Sequence, residues 1–198
     1  MGVVRLENYM NLELLTINNF YNNPYEVRKD ALSSSFEKQG NYPGVRTEPY
    51  LNNSIKNTIE QILYPYVGKI TNFSEGVNGS FQITYAWEKS WIHADTNNTW
   101  AGICYLTPDA PPSAGTGFYK HIESGLTQLS DDHKMNEEID LQGQEYFRWE
   151  LVSKVSNEFN KLVLYNGKLY HKSLDYFGST LETGRLTQVF FFDTEREP

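Results

Sequence analysis

The spacing with the most chemical content is His93-Ala94-Asp95. In an extended segment alternate side chains project to one face, so this imidazole and this carboxylate can reach a single ion. Eight aspartates and four histidines share the 198 positions, so an Asp two residues after some His arises by chance in roughly one such chain in six. The pair therefore needs support, and His171 supplies it. It follows the strand-like run KLVLYNGKLY and lies far enough from Asp95 to come from a different strand. Two histidines and one carboxylate form the facial set that leaves positions open for substrate and dioxygen on non-haem Fe(II). Arg185 comes next, with Thr187 two residues on and on the same strand face. A guanidinium grips a carboxylate through a planar fork that lysine lacks. An arginine facing the same interior as the iron is what an anionic dicarboxylate co-substrate requires.

Composition narrows the alternatives. Cys104 is the only cysteine, which rules out a disulfide within the chain and a Cys-rich zinc site. The net charge of −8 and pI near 5.0 make a polyanionic partner a poor match, so neither nucleic acid nor an anionic membrane is expected. No apolar run approaches the length of a membrane span. The first twenty residues hold no signal-peptide core, and Met1-Gly2 is followed by Leu6 where a myristoylation signal requires Ser or Thr. The expectation is a cytoplasmic protein. His121 reads as structural or at a rim, and His133, among Asp131, Asp132 and Lys134, as solvated. Cys104 reads as a small buried hydrophobe. Trp87, Trp91 and Trp100 flank the motif and are expected to wall a pocket or fill the core.

The elements that must position these groups follow from periodicity. Asn23-Pro24 opens a helix with proline at its first position. Ser54 is expected to cap a second helix carrying Ile55, Ile59, Ile62 and Leu63, stopped by Pro65 and Gly68. Tyr42-Pro43-Gly44 is a turn. From residue 70 the period becomes two. Phe81, Ile83 and Tyr85 share a face within 80–87, and 100–106, 117–122, 161–165 and 185–193 read as strands. The polar stretch 130–143 reads as a surface excursion. The whole predicts one domain over 1–198, mainly β with N-terminal helices: a double-stranded β-helix (jelly-roll) barrel braced by helices.

In this order, His93-x-Asp95, His171 and Arg185-x-Thr187 resemble the Fe(II)- and 2-oxoglutarate-dependent dioxygenases, in the prolyl-hydroxylase-like branch. The stretch WAGICYLTPDAPPSAGTGF at 100–118 is similar to the strand and glycine-containing turn that follow HxD in that branch. Tyr42-Pro43-Gly44-Val45-Arg46, the HAD–WAG–YLTPDAP phrase and RLTQVFFFD resemble a small group of such oxygenases found in bacteria and phages. The likeness spans roughly residues 20–193. It implies that His93, Asp95 and His171 hold Fe(II), and that 2-oxoglutarate chelates the iron and pairs its distal carboxylate with Arg185, helped by Thr187. It further implies that Tyr85 or Tyr105 offers a phenol to the co-substrate or substrate, and that dioxygen is consumed as a hydroxyl group is placed on a C–H bond.

Two other readings stay open on the sequence. One is a cupin-like metal-binding jelly roll without oxygenase activity, although Asp95 stands where the usual HxH pattern has its second histidine. The other is a binding or structural jelly roll in which the triad is accidental. The substrate, a peptidyl side chain, an amino acid or another small molecule, is not named by the loops 107–117 and 123–148 that border the site.

Overall fold

The computed structural model describes residues 12–73 and 76–195; the Met1-Gly2 and Leu6 positions read above lie outside them. Its spine is the long final strand. Labelled in chain order, the strands are β1 (Leu14–Ile17), β2 (Val45–Arg46), β3 (Lys69–Phe73), β4 (Phe81–Thr84), β5 (Trp100–Tyr105), β6 (Thr116–His121), β7 (Trp149–Val155), β8 (Leu162–Asn166), β9 (His171–Ser173) and β10 (Arg185–Glu195). β10 pairs antiparallel with β5, β4 and β3, and the larger sheet runs β1-β8-β5-β10-β4-β2. A smaller sheet runs β7-β6-β9.

Both faces of the larger sheet are covered, so its strands read as continuous apolar runs rather than clean alternation. One parity of β10 (Leu186, Phe190 and Phe192) joins Phe81, Ile83, Trp100, Cys104, Leu162 and Leu164 in the main core. Helices α1 (Pro24–Ser33) and α2 (Asn53–Val67) close that core from outside. α2 buries Ile55, Ile59, Leu63 and Val67, a stripe at four-residue spacing. Each such side chain contributes about 1.5–3 kcal/mol on burial. The other parity of β10 faces the smaller sheet. There Ala101, Tyr105, Phe118, Val155, Val163, Tyr165 and Leu169 form a second core between the sheets.

Several boundaries differ from the sequence reading. Asn52, not Ser54, caps α2, accepting the Ile55 amide at 3.0 Å. Pro65 lies inside the last turn of that helix and Gly68, at φ 83°, ends it. The stretch 130–143 contains a helix, α3 (His133–Asp140), capped by Asp132 and anchored by buried Ile139 in a third cluster with Ile92, Tyr119, Trp149 and Tyr170. β1 and β7 were not anticipated: β1 is a short edge strand, and five consecutive residues of β7 are exposed, which erases any period-two signal. No helix among the described residues is long and apolar enough to cross a membrane.

Candidate metal centre

The site is built on backbone pairing between distant segments. His93 and His171 form an isolated antiparallel bridge, with His93 N–H donating to the His171 carbonyl at 3.0 Å and the reverse bond at 2.8 Å. Two residues on, the Asp95 amide donates to the Gly167 carbonyl at 2.8 Å. A side chain at 167 would bring its Cβ within 2.8 Å of the Asn98 carbonyl and 3.2 Å of Asp95 Cβ, so glycine lets that strand end approach. The extended segment thus turns both His93 and Asp95 toward His171.

The three side chains converge. One ligating atom from each of His93, Asp95 and His171 lies within 4.8 Å of the others. His93 Nε2 is 3.9 Å from Asp95 Oδ1, and His171 Nε2 is 3.9 Å from Asp95 Oδ2. These separations exceed hydrogen-bond length but suit donors arranged around a shared ion. His93 Nδ1 is 3.1 Å from the Trp91 carbonyl, and His171 Nδ1 is 2.8 Å from the Leu169 carbonyl. A carbonyl only accepts, so each Nδ1 carries a proton, and Nε2 is the nitrogen each ring turns toward Asp95. Burial, and then the neighbouring His93, push the His171 pKa down to about 4 against the pull of Asp95, which keeps that ring neutral. Asp95 Oδ2 is buried with no hydrogen-bond partner. An orphaned carboxylate oxygen costs stability unless something positive meets it. Two imidazole Nε2 atoms and an unsatisfied carboxylate oxygen fit a divalent cation.

Deeper between the sheets lies Arg185, 3% exposed. Its Nε–H donates to the Ala114 carbonyl at 2.9 Å, and Nη2 reaches the Gly115 carbonyl at 3.5 Å. No carboxylate among the described residues pairs with it. Its guanidinium carbon stands 5.5 Å from the Tyr105 ring centre and 5.9 Å from that of Tyr176. Thr187 is buried on the same face of β10. Tyr105 is fully buried, and its hydroxyl pairs with Thr116 Oγ1 at 2.7 Å.

Tyr85 departs from the expectation. It shares the parity of Phe81 and Ile83, and that parity faces the helices: Tyr85 packs on the main core and stacks on Trp87. Beside Arg185 the structure places another phenol, Tyr176, in the loop between β9 and β10, which the sequence reading did not single out. Its hydroxyl is buried without a partner, beside Arg185 and in the wall of the site cavity. Fourteen tyrosines and no local motif gave no signal for it. Tyr165 packs edge-on against His171 with ring centres 4.7 Å apart, which fixes the imidazole.

The remaining groups fall elsewhere. His121 is buried and held by Ser124 and Gln142, outside the triad. His133 is exposed at the cavity opening. Cys104 lies in the main core, where burial raises its thiol pKa. Trp91 lies beside His93, Trp100 is core, and Trp87 is exposed. The cavity over the triad has a volume of about 1280 Å³.

The described chain shares its fold with solved enzymes. HygX from Streptomyces hygroscopicus, with nickel, 2-oxoglutarate and hygromycin B bound, aligns with a TM-score of 0.58 at 12% identity, over 93% of this chain and 84% of that one. A prolyl hydroxylase from Trichoplax adhaerens, in complex with a hypoxia inducible factor peptide fragment, gives 0.57 at 12%, over 92% and 84%. The non-haem α-ketoglutarate-dependent epimerase SnoN from nogalamycin biosynthesis gives 0.60 at 13%, over 93% and 80%. No curated protein matches the sequence. A family model matches residues 3–192, and the chain belongs to that family, DUF6445, a family of unknown function.

Proposed function

We propose that this protein is a non-haem Fe(II)- and 2-oxoglutarate-dependent dioxygenase that hydroxylates a C–H bond of a peptidyl side chain, an amino acid or another small molecule. One observation carries the reading: ligating atoms of two imidazoles and a carboxylate with an orphaned oxygen meet within 4.8 Å, between the same sheets as a buried arginine with no counter-ion among the described residues. The shared fold supports it, since HygX holds nickel and 2-oxoglutarate and SnoN is named α-ketoglutarate-dependent.

In this reading His93, Asp95 and His171 hold the metal, and Arg185 receives the distal carboxylate of 2-oxoglutarate. When bound, such a centre couples oxidative decarboxylation of 2-oxoglutarate to hydroxylation: substrate C–H, 2-oxoglutarate and O2 become C–OH, succinate and CO2. The chain's own part is placement. The Trp91 and Leu169 carbonyls hold both Nδ1–H groups, so each ring presents its Nε2 to a cation. The Ala114 carbonyl aims the guanidinium of Arg185, and Tyr105 and Tyr176 flank it. The Tyr176 hydroxyl is free to donate to a carboxylate arriving there. Ile103, Val189 and Phe191 line the wall with apolar surface, which strengthens each polar contact inside.

The test is conversion of 2-oxoglutarate to succinate, which is expected to require both Fe(II) and dioxygen and to vanish in His93→Ala and Asp95→Ala. Metal binding without metal-dependent 2-oxoglutarate binding would replace this reading with a metal-binding jelly roll that lacks oxygenase activity.

A further inference from the structure

The Tyr42-Pro43-Gly44-Val45-Arg46 segment plays no part in the metal centre, yet it delivers a cation to the same cavity. Arg46 and Tyr42 line that cavity together with His93, Asp95, Phe191 and His171. The arginine backbone is clamped at the sheet edge by reciprocal 2.9 Å bonds with Lys38. Its guanidinium lies over the Tyr42 ring at 3.7 Å from the centroid and 5.7 Å from that of Phe191. Its Nε–H donates to Gln82 Oε1 at 2.9 Å. The Gln82 amide is oriented in turn, because its Nε2 donates to the Pro43 carbonyl at 2.7 Å. The turn is pressed onto β4: Gly44 has φ +72°, and a Cβ there would stand 2.0 Å from the Ile83 carbonyl. This is a cation held in place before any ligand arrives.

No hydrogen bond to its outer nitrogens forms among the described residues. Arg28 spends both Nη groups on the Leu106 and Glu182 carbonyls, and Arg148 is bonded to Glu145 and Glu123. Arg46 is bonded through Nε alone, and no carboxylate among the described residues forms an ion pair with it. Asp95 acts on it electrostatically across the cavity without touching it. A half-buried guanidinium with no anion against it is partly desolvated and unpaired, and a bidentate carboxylate from outside would offset that desolvation. Arg185 lies on the same face of β10 six residues before Phe191, beside Tyr105 and Tyr176, whereas Arg46 lies beside Tyr42 and Phe191, so the two guanidinium groups occupy different places.

Resting on the dioxygenase reading above, we propose that Arg46 is the specificity-determining residue that binds a carboxylate of the primary substrate, which makes the substrate class a small organic acid such as a free amino acid. The fork faces the cavity beside the metal ligands, and Phe191 offers apolar surface next to it for the carbon skeleton.

The test uses the whole protein loaded with Mn(II), which binds oxygen ligands without supporting turnover, and saturated with 2-oxoglutarate. Calorimetric titration with the twenty free L-amino acids and a set of short mono- and dicarboxylic acids is compared with titration by the matching carboxamides. At least one acid is expected to bind tenfold or more tightly than its amide. Arg46→Gln is expected to erase that preference and Arg46→Lys to retain part of it, while both bind 2-oxoglutarate within threefold of the parent. Thermal melting of the two variants reports folding, and the lysine variant keeps the comparison valid if the glutamine variant melts early. The proposal is overturned if no acid outbinds its amide, if Arg46→Gln keeps the preference, or if Arg46→Gln loses 2-oxoglutarate as Arg185→Gln does, which would assign Arg46 to the co-substrate. Failure of the dioxygenase reading would show separately, as absence of metal-dependent 2-oxoglutarate binding in the parent protein.

Discussion

Replacing Arg185 with methionine separates a ligand-binding arginine from a structural one. A buried arginine that holds a fold together leaves unpaired groups when it is removed, at a cost of about 3–5 kcal/mol. Arg185 does not have that signature. The Ala114 carbonyl it bonds also accepts from Asn157 Nδ2 at 3.2 Å, and the Gly115 carbonyl accepts from the Leu174 amide at 3.0 Å. The Tyr105 hydroxyl keeps Thr116. Truncation therefore orphans no acceptor, and it removes a charge that is 3% exposed and has no counter-ion. Lost charge-assisted bonds, about 1.5–3 kcal/mol each, and relieved desolvation of several kcal/mol nearly cancel. The ligand-free Arg185→Met protein should match the parent within about 1 kcal/mol by denaturant melting. Its 2-oxoglutarate affinity should fall far more. Losing one member of a buried charge pair costs about 2–5 kcal/mol, which is roughly thirtyfold to several thousandfold in Kd. Calorimetry on the Mn(II)-loaded protein measures it. Unchanged affinity together with a stability loss of about 3 kcal/mol or more would refute the reasoning and make Arg185 structural.

Other outcomes follow from the same geometry. Asp95→Asn should abolish stabilisation by Mn(II) in a thermal melt while leaving the metal-free protein as stable as the parent or more so, because the orphaned Oδ2 is a burden without a cation. In the metal-free protein His171 has its pKa held near 4, below the ordinary 6.5, so the unfolded chain binds the extra proton first. Stability should fall as pH drops from about 6.5 to 4, by about 3 kcal/mol, and level off below; urea melts across that range should lose this slope in His171→Gln. Gly44→Ala places a Cβ 2.0 Å from the Ile83 carbonyl at positive φ, and should cost about 2–4 kcal/mol in the same melts. Tyr176→Phe should weaken 2-oxoglutarate binding about tenfold without lowering the melting temperature, since its hydroxyl has no partner to lose.

How far the sequence could be read depended on how local each determinant was. His93 and Asp95 were legible because an extended chain fixes their parity within three residues. His171 and Arg185 were legible through the strand runs that precede or contain them. Tyr85 alternates with Phe81 and Ile83 and packs on the main core, because the face of β4 that carries them is the one on which α1 and α2 pack. No spacing within the strand encodes that. Tyr176 was invisible because a loop brings it to Arg185, and loop paths carry no periodicity. α3 was hidden by its polarity, for only Ile139 is buried in eight residues. Asn52 displaced Ser54 as the helix cap although both are good caps, and the register of the buried Ile55–Val67 stripe decided between them.

The charges between the sheets tie these pieces together. Arg46, Arg185, Asp95 and Asp193 are charged side chains there that are partly or wholly withdrawn from solvent, and before loading the two cations and two anions sum to zero. The acidic residues at the opening, Asp131, Glu137 and Asp140, are exposed and screened by water. A divalent cation at the triad and doubly charged 2-oxoglutarate would offset each other, with Asp95 against the cation and Arg185 against the co-substrate, while Asp193 already accepts from the Thr99 amide at 2.8 Å, so Arg46 is the charge left without a partner among the described residues. An unpaired charge in a space closing over substrate is unfavourable unless something neutralises it. One carboxylate on the substrate supplies that partner, and Arg46 is the group left to receive it. A cation at the triad adds positive charge to the cavity that Arg46 lines, which favours an anionic substrate over a neutral one. Substrate affinity should therefore rise when Mn(II) is added, and a neutral carboxamide should not share the gain. If acid and amide gained equally, charge would not be what selects the substrate.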